Sequence, residues 1–184
     1  MHPELIEIGG ITLYAYGFFI MIGALTSYMY GIKVLKKELD IEPDKVQTLT
    51  ILIISAAVIG GKIFFYFEDP AYYFSSPENL LKNFRQGFVF YGSLIFAVPT
   101  VIWYFRKEKW PIFPMLDILS IIATIIHGFG RLGCFFAGCC HGLPTDSFLG
   151  VTFTDAKSQA KPLDTPLHPT QLYEVFFIGS LMLF

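Results

Sequence analysis

Five long apolar runs, separated by shorter polar segments, divide the chain. The runs cover residues 11–32, 46–67, 88–105, 111–130 and 172–184. None of them alternates strictly between apolar and polar positions, which argues against strands. Because about 20 apolar residues are needed to cross a bilayer as a helix, the pattern predicts an all-α fold, a polytopic transmembrane helical bundle.

The ends of the chain carry two further expectations within this pattern. The first residues, MHPELIEIGG, lack the basic segment of a cleavable signal peptide, so the first run is expected to remain as a span. At about 1.5 Å per residue the last run is too short to cross, and we expect it to be an incomplete helix. Residues 1–184 are therefore predicted to form a single membrane domain with about five spans.

The composition supports a membrane protein. Hydrophobic residues make up 54% of the chain and charged residues 15%, whereas soluble domains carry about 25% charged residues. The mean hydropathy is +0.56. So little polar surface cannot cover the molecule in water. Neither a nucleic-acid partner nor a cofactor is expected.

Basic residues cluster after the first and third runs, in KVLKKELDIEPDK and RKEKW. Cytoplasmic loops are enriched in lysine and arginine, so both segments are predicted to be cytoplasmic and the N-terminus to lie outside. Residues 68–87 and 131–171 are then outer segments. Within the second of these, the polar stretch TDAKSQAKPLDTP is expected to be a loop that can move.

The densest chemistry lies in GRLGCFFAGCCHG, residues 130–142, at the predicted outer end of the fourth run. Arg131 either extends to the headgroups or holds a phosphate through two hydrogen bonds. The flanking Gly130 and Gly133 permit close backbone approach and favour the phosphate interpretation.

Three cysteines in the same stretch, Cys134, Cys139 and Cys140, leave several interpretations open. They could pack as small soft residues, or two could form a disulfide in an oxidising compartment. They could also carry redox or metal chemistry. Their spacing does not match a paired C-x-x-C zinc site, so no metal is predicted and packing or a disulfide is favoured.

A second motif, HPTQLYE, begins the last apolar run at His168. Thr170 is a candidate helix cap and Tyr173 an interfacial tyrosine. Glu174 would lie one turn inside the run, where an unpaired carboxylate is costly. It is therefore expected to have a buried partner, for which Arg131 is one candidate.

Two further cations, Lys62 and Arg85, are predicted to lie on the outer side together with Arg131. Three cations on one face, close to tyrosines, suggest a site for an anionic lipid headgroup. The alternative is that all three merely face anionic lipid.

Taken together, these stretches resemble the prolipoprotein diacylglyceryl transferase family, which acts at the bacterial inner membrane. The resemblance covers most of the chain and rests on the segments YAYGFFIMIG, GGKIFFYFEDP, FRQGFVFYGSL, DILSIIATIIHGFGRLGCFFAGCCHG and HPTQLYE. It implies transfer of a diacylglyceryl group from phosphatidylglycerol to the lipobox cysteine thiol of a prolipoprotein, with glycerol phosphate as the leaving group. The implied partners are phosphatidylglycerol, the prolipoprotein signal peptide and membrane lipids.

The resemblance also implies roles for individual residues. Arg131 would lie near the lipid phosphate, Tyr91 would position the lipid ester, and His168 is a candidate base alongside His127 and His141. The candidate catalytic residues are thus Arg131, Tyr91 and His168. The candidate substrate-binding residues are Tyr16, Gly17, Lys62, Arg85, Gly92, Gly130, Gly133, Tyr173 and Glu174.

The chain departs from the family pattern in two places. It reads Tyr91-Gly92-Ser93-Leu94 where the family usually reads His-Gly-Gly-Leu, and it carries cysteines where the family signature has asparagines and a glutamate. The later helices of the family, with a second important arginine, are expected beyond Phe184. A membrane thiol-redox or metal-handling protein using Cys134, Cys139 and Cys140 is the alternative function. A lipid-binding protein without turnover is a third.

Overall fold

The computed structural model describes residues 3–8, 11–76, 78–79 and 87–182. The helices are α1 (Ala15–Leu39), α2 (Pro43–Glu68), α3 (Pro70–Tyr73), α4 (Phe90–Glu108), α5 (Ile112–Ala137) and α6 (Thr170–Leu181). Two short hairpins accompany them, β1 (Glu4–Ile8) with β2 (Ile11–Tyr14), and β3 (Val151–Thr152) with β4 (Pro166–Leu167). The predicted all-α membrane fold is confirmed.

Among the described residues, three helices are long and apolar enough to cross a membrane: α1, α2 and α5. The third predicted run corresponds to α4, which has 19 residues and contains Pro99. The fifth corresponds to α6, which has 12 residues. The positions of the predicted runs are therefore reproduced as helices, whereas the number of spans stays a prediction.

The first predicted span begins later than expected. Residues 11–14 form β2, which pairs antiparallel with β1, and α1 begins only at Ala15. The sequence ITLY is rich in β-branched and aromatic residues, which suit a strand. Two glycines separate it from ELIEI, and two glycines between short strand-like segments are typical of a hairpin. The hairpin was missed because residues 11–14 were included in the apolar run. The backbone N–H of Ala15 donates to the carbonyl of Pro3 and connects the hairpin to α1.

The described chain divides into two compact units, Met1–Lys33 with Asp117–Phe184, and Val34–Leu116. Small residues bring α1 and α5 together in the first unit. Gly23, Ser27 and Gly31 recur every four residues and share one face of α1. The hydroxyl of Ser27 donates to the carbonyl of Ile122 at 3.2 Å, and a Cβ on Gly23 would lie 2.7 Å from that of Phe129. Small side chains of this kind allow membrane helices to approach closely.

The segment between α5 and α6 packs against the end of α5, whereas its expected movement stays a prediction. Its backbone returns to α5, because Gln159 donates its N–H to the carbonyl of Ala137 at 2.9 Å. Four buried apolar residues form a small core with the end of α5: Phe135, Phe153, Ala160 and Leu167. Their burial excludes water from the middle of a segment whose composition is largely polar.

The second unit is built on the contact between α2 and α4. A Cβ on Gly60 would lie 2.8 Å from the Cβ of Phe96, and one on Gly92 would lie 2.6 Å from the Cβ of Phe64. Beside these glycines, the hydroxyl of Ser93 donates to the carbonyl of Ala57 at 2.9 Å. Glycine is thus required on both helices for the backbones to touch.

Candidate functional site

The GRLGCFFAGCCHG stretch forms the last two turns of α5 and the turn that follows. The backbone N–H of Gly138 donates to Phe135 at 3.2 Å, and that of Cys139 donates to Cys134 at 3.1 Å. With Gly138 at φ +78°, this is a Schellman motif, in which glycine accepts the left-handed conformation. Cys140 also has a positive φ, of 60°. The chain therefore reverses sharply and folds the cysteines back beside the end of α5.

The HPTQLYE motif holds this turn against the start of α6. Gly142 donates its backbone N–H to the carbonyl of His168 at 2.8 Å. The hydroxyl of Thr170 donates to the carbonyl of Cys140 at 2.8 Å, so Thr170 connects the two motifs. Its predicted role as helix cap is wrong, because the capping position is occupied by Pro169.

Gln171 completes the connection from inside the protein. Its side chain is fully buried, and its Nε2 donates to the carbonyl of Cys139 at 2.5 Å. Its Oε1 is buried without a hydrogen-bond partner among the described residues. A buried amide of this kind must form its hydrogen bonds within the protein, which makes the position sensitive to substitution.

Arg131, Glu174 and His127 form a charged network between α5 and α6. The Nε of Arg131 donates to the carboxylate of Glu174, and the Nε2 of His127 lies 3.2 Å from the same Oε2 atom. Arg131, one candidate partner for Glu174, is thus paired with it, although the expected burial of that partner is only partial. The side chains of Arg131 and Glu174 are 26% and 42% exposed, so the pair lies partly open to the surroundings.

The network leaves two groups available to a ligand. The Nη groups of Arg131 have no hydrogen-bond partner in the part of the chain that the structure describes, so two parallel donors remain. Because a carboxylate only accepts, the Nε2 of His127 carries the hydrogen of that bond, and the Nδ1 lone pair is left as an acceptor. The site thus offers a fixed cation beside a fixed basic nitrogen.

His127 was one of three histidines named as a candidate base, but His168 was the one selected as a candidate catalytic residue. A signal for His127 was present, because it precedes Arg131 by four residues and therefore shares its helix face. A titratable residue inside an apolar run is also a functional candidate by default. His168, which was a candidate, is hydrogen-bonded through Nδ1 to the hydroxyl of Tyr173 at 2.9 Å.

The glycines of α5 lie against α1. A Cβ on Gly133 would lie 3.1 Å from the Cα of Tyr16, and one on Gly130 would lie 3.4 Å from Ile20. Gly17 has open space around it, with no atom within 4 Å of a Cβ built there. These contacts give Gly130 and Gly133 a packing role, and their contact with substrate stays a prediction.

The remaining candidates belong to the second unit or fall outside the described residues. Tyr91, in the first turn of α4, is 73% exposed. Lys62 donates to the carbonyl of Gly87 at 2.9 Å and lies over the ring of Phe65, 5.3 Å from its centroid. Gly92 lies buried against α2. Arg85 lies outside the described residues.

The three cysteine sulfurs cluster at the end of α5. The Sγ atoms of Cys134, Cys139 and Cys140 lie within 4.8 Å of one another, and all three cysteines are free. Burial, together with the neighbouring Cys134, raises the pKa of the Cys139 thiol to about 12. Its thiolate fraction near neutral pH is therefore very small, which disfavours thiol-redox chemistry at this residue.

An apolar cavity of about 360 Å³ lies in the same unit as the charged network. Leu132 and Val175, which follow Arg131 and Glu174 in sequence, both contribute to its wall. The rest of the lining comes from α1, α5 and α6 and includes Thr26, Phe129, Ile178 and Met182. The first unit therefore contains both a charged network and an apolar cavity.

Comparison with known proteins gives a consistent result. The family model described as prolipoprotein diacylglyceryl transferase matches residues 3–184. A phosphatidylglycerol–prolipoprotein diacylglyceryl transferase of Clostridium tetani (strain Massachusetts / E88) is 36% identical over 184 residues, which are 100% of this chain and 72% of that protein. A second, from Clostridium perfringens (strain 13 / Type A), is 33% identical over 100% of this chain and 71% of its own length. A third, from Rickettsia canadensis (strain McKiel), is 28% identical over 99% of this chain and 69% of its own length.

Substitution of Gln171 tests the connection between the turn and α6. Gln171→Leu removes the donor to Cys139 and leaves a buried carbonyl unpaired, which we expect to cost about 1–3 kcal/mol. Thermal unfolding in detergent measures the loss. The exposed Gln159, whose side chain makes no described hydrogen bond, supplies the matched control Gln159→Leu. Equal melting temperatures for the two variants would show that Gln171 does not hold the turn.

Proposed function

The chain belongs to the prolipoprotein diacylglyceryl transferase family, and we propose that it transfers the diacylglyceryl group of phosphatidylglycerol to a cysteine thiol of a prolipoprotein. The names of its relatives supply the two substrates. The observation that carries the proposal is the Arg131–Glu174 ion pair, which fixes a guanidinium and leaves its Nη donors unused by the described residues. A planar pair of donors matches a lipid phosphate.

The reaction requires cationic stabilisation of the departing group. The thiol sulfur attacks the glycerol carbon of the diacylglyceryl group that carries the phosphate ester, and a carbon–sulfur bond forms. The carbon–oxygen bond breaks, and its electron pair leaves with glycerol phosphate. Negative charge therefore grows on the phosphate, where Arg131 stabilises it in a partly dry site.

The thiol must also lose its proton. Free cysteine has a pKa of about 8.5, so a base near neutral pH increases the reactive fraction. His127 is the preferred base, because Glu174 orients its ring through Nε2 and leaves Nδ1 as the acceptor. His168, hydrogen-bonded to Tyr173, is the second candidate.

We assign the apolar cavity of the same unit to an acyl chain of the donor lipid. Its lining is apolar apart from two threonines, Thr26 and Thr124, and it is formed by α1 together with the helices that carry the charged network. Tyr16 lies within electrostatic range of Arg131 and is 46% exposed, so its hydroxyl can bind the headgroup. Gly17 leaves room beside it.

Tyr91 is retained as a proposed catalytic residue that positions the lipid ester, and Gly92 as a proposed substrate residue beside it. Lys62 and Arg85 are retained as proposed substrate residues because they are cations predicted to lie on the outer side. The exposure of Tyr91 leaves its hydroxyl accessible to lipid or to the signal peptide of the prolipoprotein.

The enzyme is assigned to the bacterial inner membrane as a multi-pass protein with its N-terminus outside. The support is the placement of the basic residues in KVLKKELDIEPDK and RKEKW, which the positive-inside rule assigns to the cytoplasm. The charged network then lies near the outer surface, with other membrane lipids around it.

Replacing Arg131 tests the phosphate role. With phosphatidylglycerol vesicles and a synthetic lipobox peptide, Arg131→Ala is expected to lower the rate of thioether formation by about 100-fold or more, because a transition-state donor is lost. Arg131→Lys keeps the positive charge but lacks the two parallel N–H donors, so its rate should lie between those of the parent protein and Arg131→Ala. Mass spectrometry of the peptide measures the product.

Arg106, exposed at the end of α4, provides the matched control, and Arg106→Ala should leave the rate unchanged. A folded Arg131→Ala protein that turns over at the parent rate would contradict the proposal.

Glutamine substitutions distinguish the two candidate bases. His127→Gln is expected to slow transfer by about 10²–10⁴-fold, with a smaller loss for His168→Gln. Because a base is dispensable once the acceptor is already a thiolate, raising the assay pH above about 8.5 should restore part of the His127→Gln rate. If His168→Gln loses more activity than His127→Gln, and if it is the variant whose rate recovers at high pH, the base is His168 instead.

Lysine labelling tests the orientation. A membrane-impermeant amine reagent applied to intact spheroplasts should modify Lys157 and Lys161, in the segment between α5 and α6. It should modify Lys37 and Lys107 only after lysis. Peptide mass spectrometry locates the labels, and the opposite pattern would invert the proposed topology.

A further inference from the structure

The cysteine cluster is not used by the proposed transfer reaction. It lies one turn beyond Arg131, at the junction of α5 and the following turn. Sequence spacing did not predict a metal site, because Cys134 is five and six residues from the other two. The Schellman motif cancels this separation by reversing the chain at Gly138, so that Cys139 donates its backbone N–H to Cys134.

The spacing of the sulfurs is close to that of a metal-bound set. Three sulfurs around one ion at a metal–sulfur distance of about 2.3 Å would be separated by about 4.0 Å in a trigonal plane. The observed sulfurs all lie within 4.8 Å of one another without an ion. Side-chain rotations that move each sulfur by less than about 1 Å would therefore bring the three sulfurs to the separation of a metal-bound set.

The number of ligands decides which ion fits. Structural zinc takes four protein ligands in a tetrahedron, and His141 is the nearest imidazole in sequence. Its Nε2 accepts from the backbone N–H of Lys161 at 3.3 Å, so its Nδ1 carries the hydrogen and donates to the carbonyl of Gly142 at 2.8 Å. Both nitrogens of His141 are thus in use. Among the described residues, no histidine, carboxylate or further cysteine joins the three sulfurs as a fourth donor. Three thiolates alone favour a soft ion of low coordination number, for which Cu(I) is the biological example.

The surroundings support the binding of such an ion. Arg131 lies within electrostatic range of Cys134 and Cys140 and offsets part of the negative charge that three thiolates bring. Cys140 is exposed and gives an ion a path from solvent, whereas Cys134 and Cys139 are half-buried. The backbone carbonyls of Cys139 and Cys140 are held by Gln171 and Thr170 on α6. The cluster is therefore held in place from two elements.

We propose that Cys134, Cys139 and Cys140 form a three-coordinate binding site for a single Cu(I) ion on this enzyme. The site is separate from the diacylglyceryl transfer and does not depend on it.

Copper loading of the intact protein tests the proposal. Protein purified in detergent under a thiol-free reductant is incubated with Cu(I) supplied as a weak complex, desalted and analysed for metal per chain. We expect one copper per chain and an X-ray absorption spectrum with three sulfur neighbours at about 2.3 Å and no nitrogen. Bound copper should also protect all three cysteines from alkylation, which intact mass measures.

Variants separate the site from general effects on folding. Cys134→Ser, Cys139→Ser and Cys140→Ser should each weaken copper retention at least tenfold, while His141→Ala should retain one copper per chain. If a cysteine variant fails to fold, the alkylation protection of the parent protein still decides the question. Retention of zinc instead of copper, a nitrogen ligand in the spectrum, or no bound ion with all three cysteines open to alkylation would overturn the proposal.

Discussion

The ion pair between Arg131 and Glu174 is the constraint on which the rest of the site depends. Charges in apolar surroundings are costly unless they are paired, so each residue requires the other where the apolar helices α5 and α6 meet. The pair engages the Nε of Arg131. It thereby fixes the plane of the guanidinium without consuming the donors best suited to a phosphate.

The carboxylate that pairs with Arg131 comes from a different motif of the chain. Residues 130–142 contain no carboxylate, so Arg131 cannot be neutralised within its own motif. The carboxylate comes from α6, and α6 is placed by contacts with the turn after α5, through Thr170 and Gln171. The structure of the turn after α5 therefore determines where Glu174 lies relative to the guanidinium of Arg131. This explains why two motifs so far apart in sequence form one site.

The sequence predicted those parts of the structure that depend on local pattern or on a large energetic penalty. The apolar runs became helices, and the cost of an unpaired Glu174 identified its partner. The features that the sequence did not predict depend instead on contacts between distant residues or on segments too short to show a pattern. The segment between the two motifs is held by Phe153, Ala160 and Leu167, which are buried only because they meet Phe135 from α5. Contacts of this range leave no periodic signal. The strand at residues 11–14 was absorbed into an apolar run because four residues are too few to establish a period.

The cysteines show the same limit at the level of chemistry. Their spacing does not match a paired C-x-x-C zinc site, and for this reason the sequence pattern predicted no metal. The reversal at Gly138 removes that objection, because a left-handed residue redirects the chain within one step. Once the sulfurs are neighbours, burial holds Cys139 as a neutral thiol near neutral pH. Binding of one Cu(I) ion by all three thiols releases three protons, so the site gains net negative charge, and Arg131 beside it offsets part of that charge.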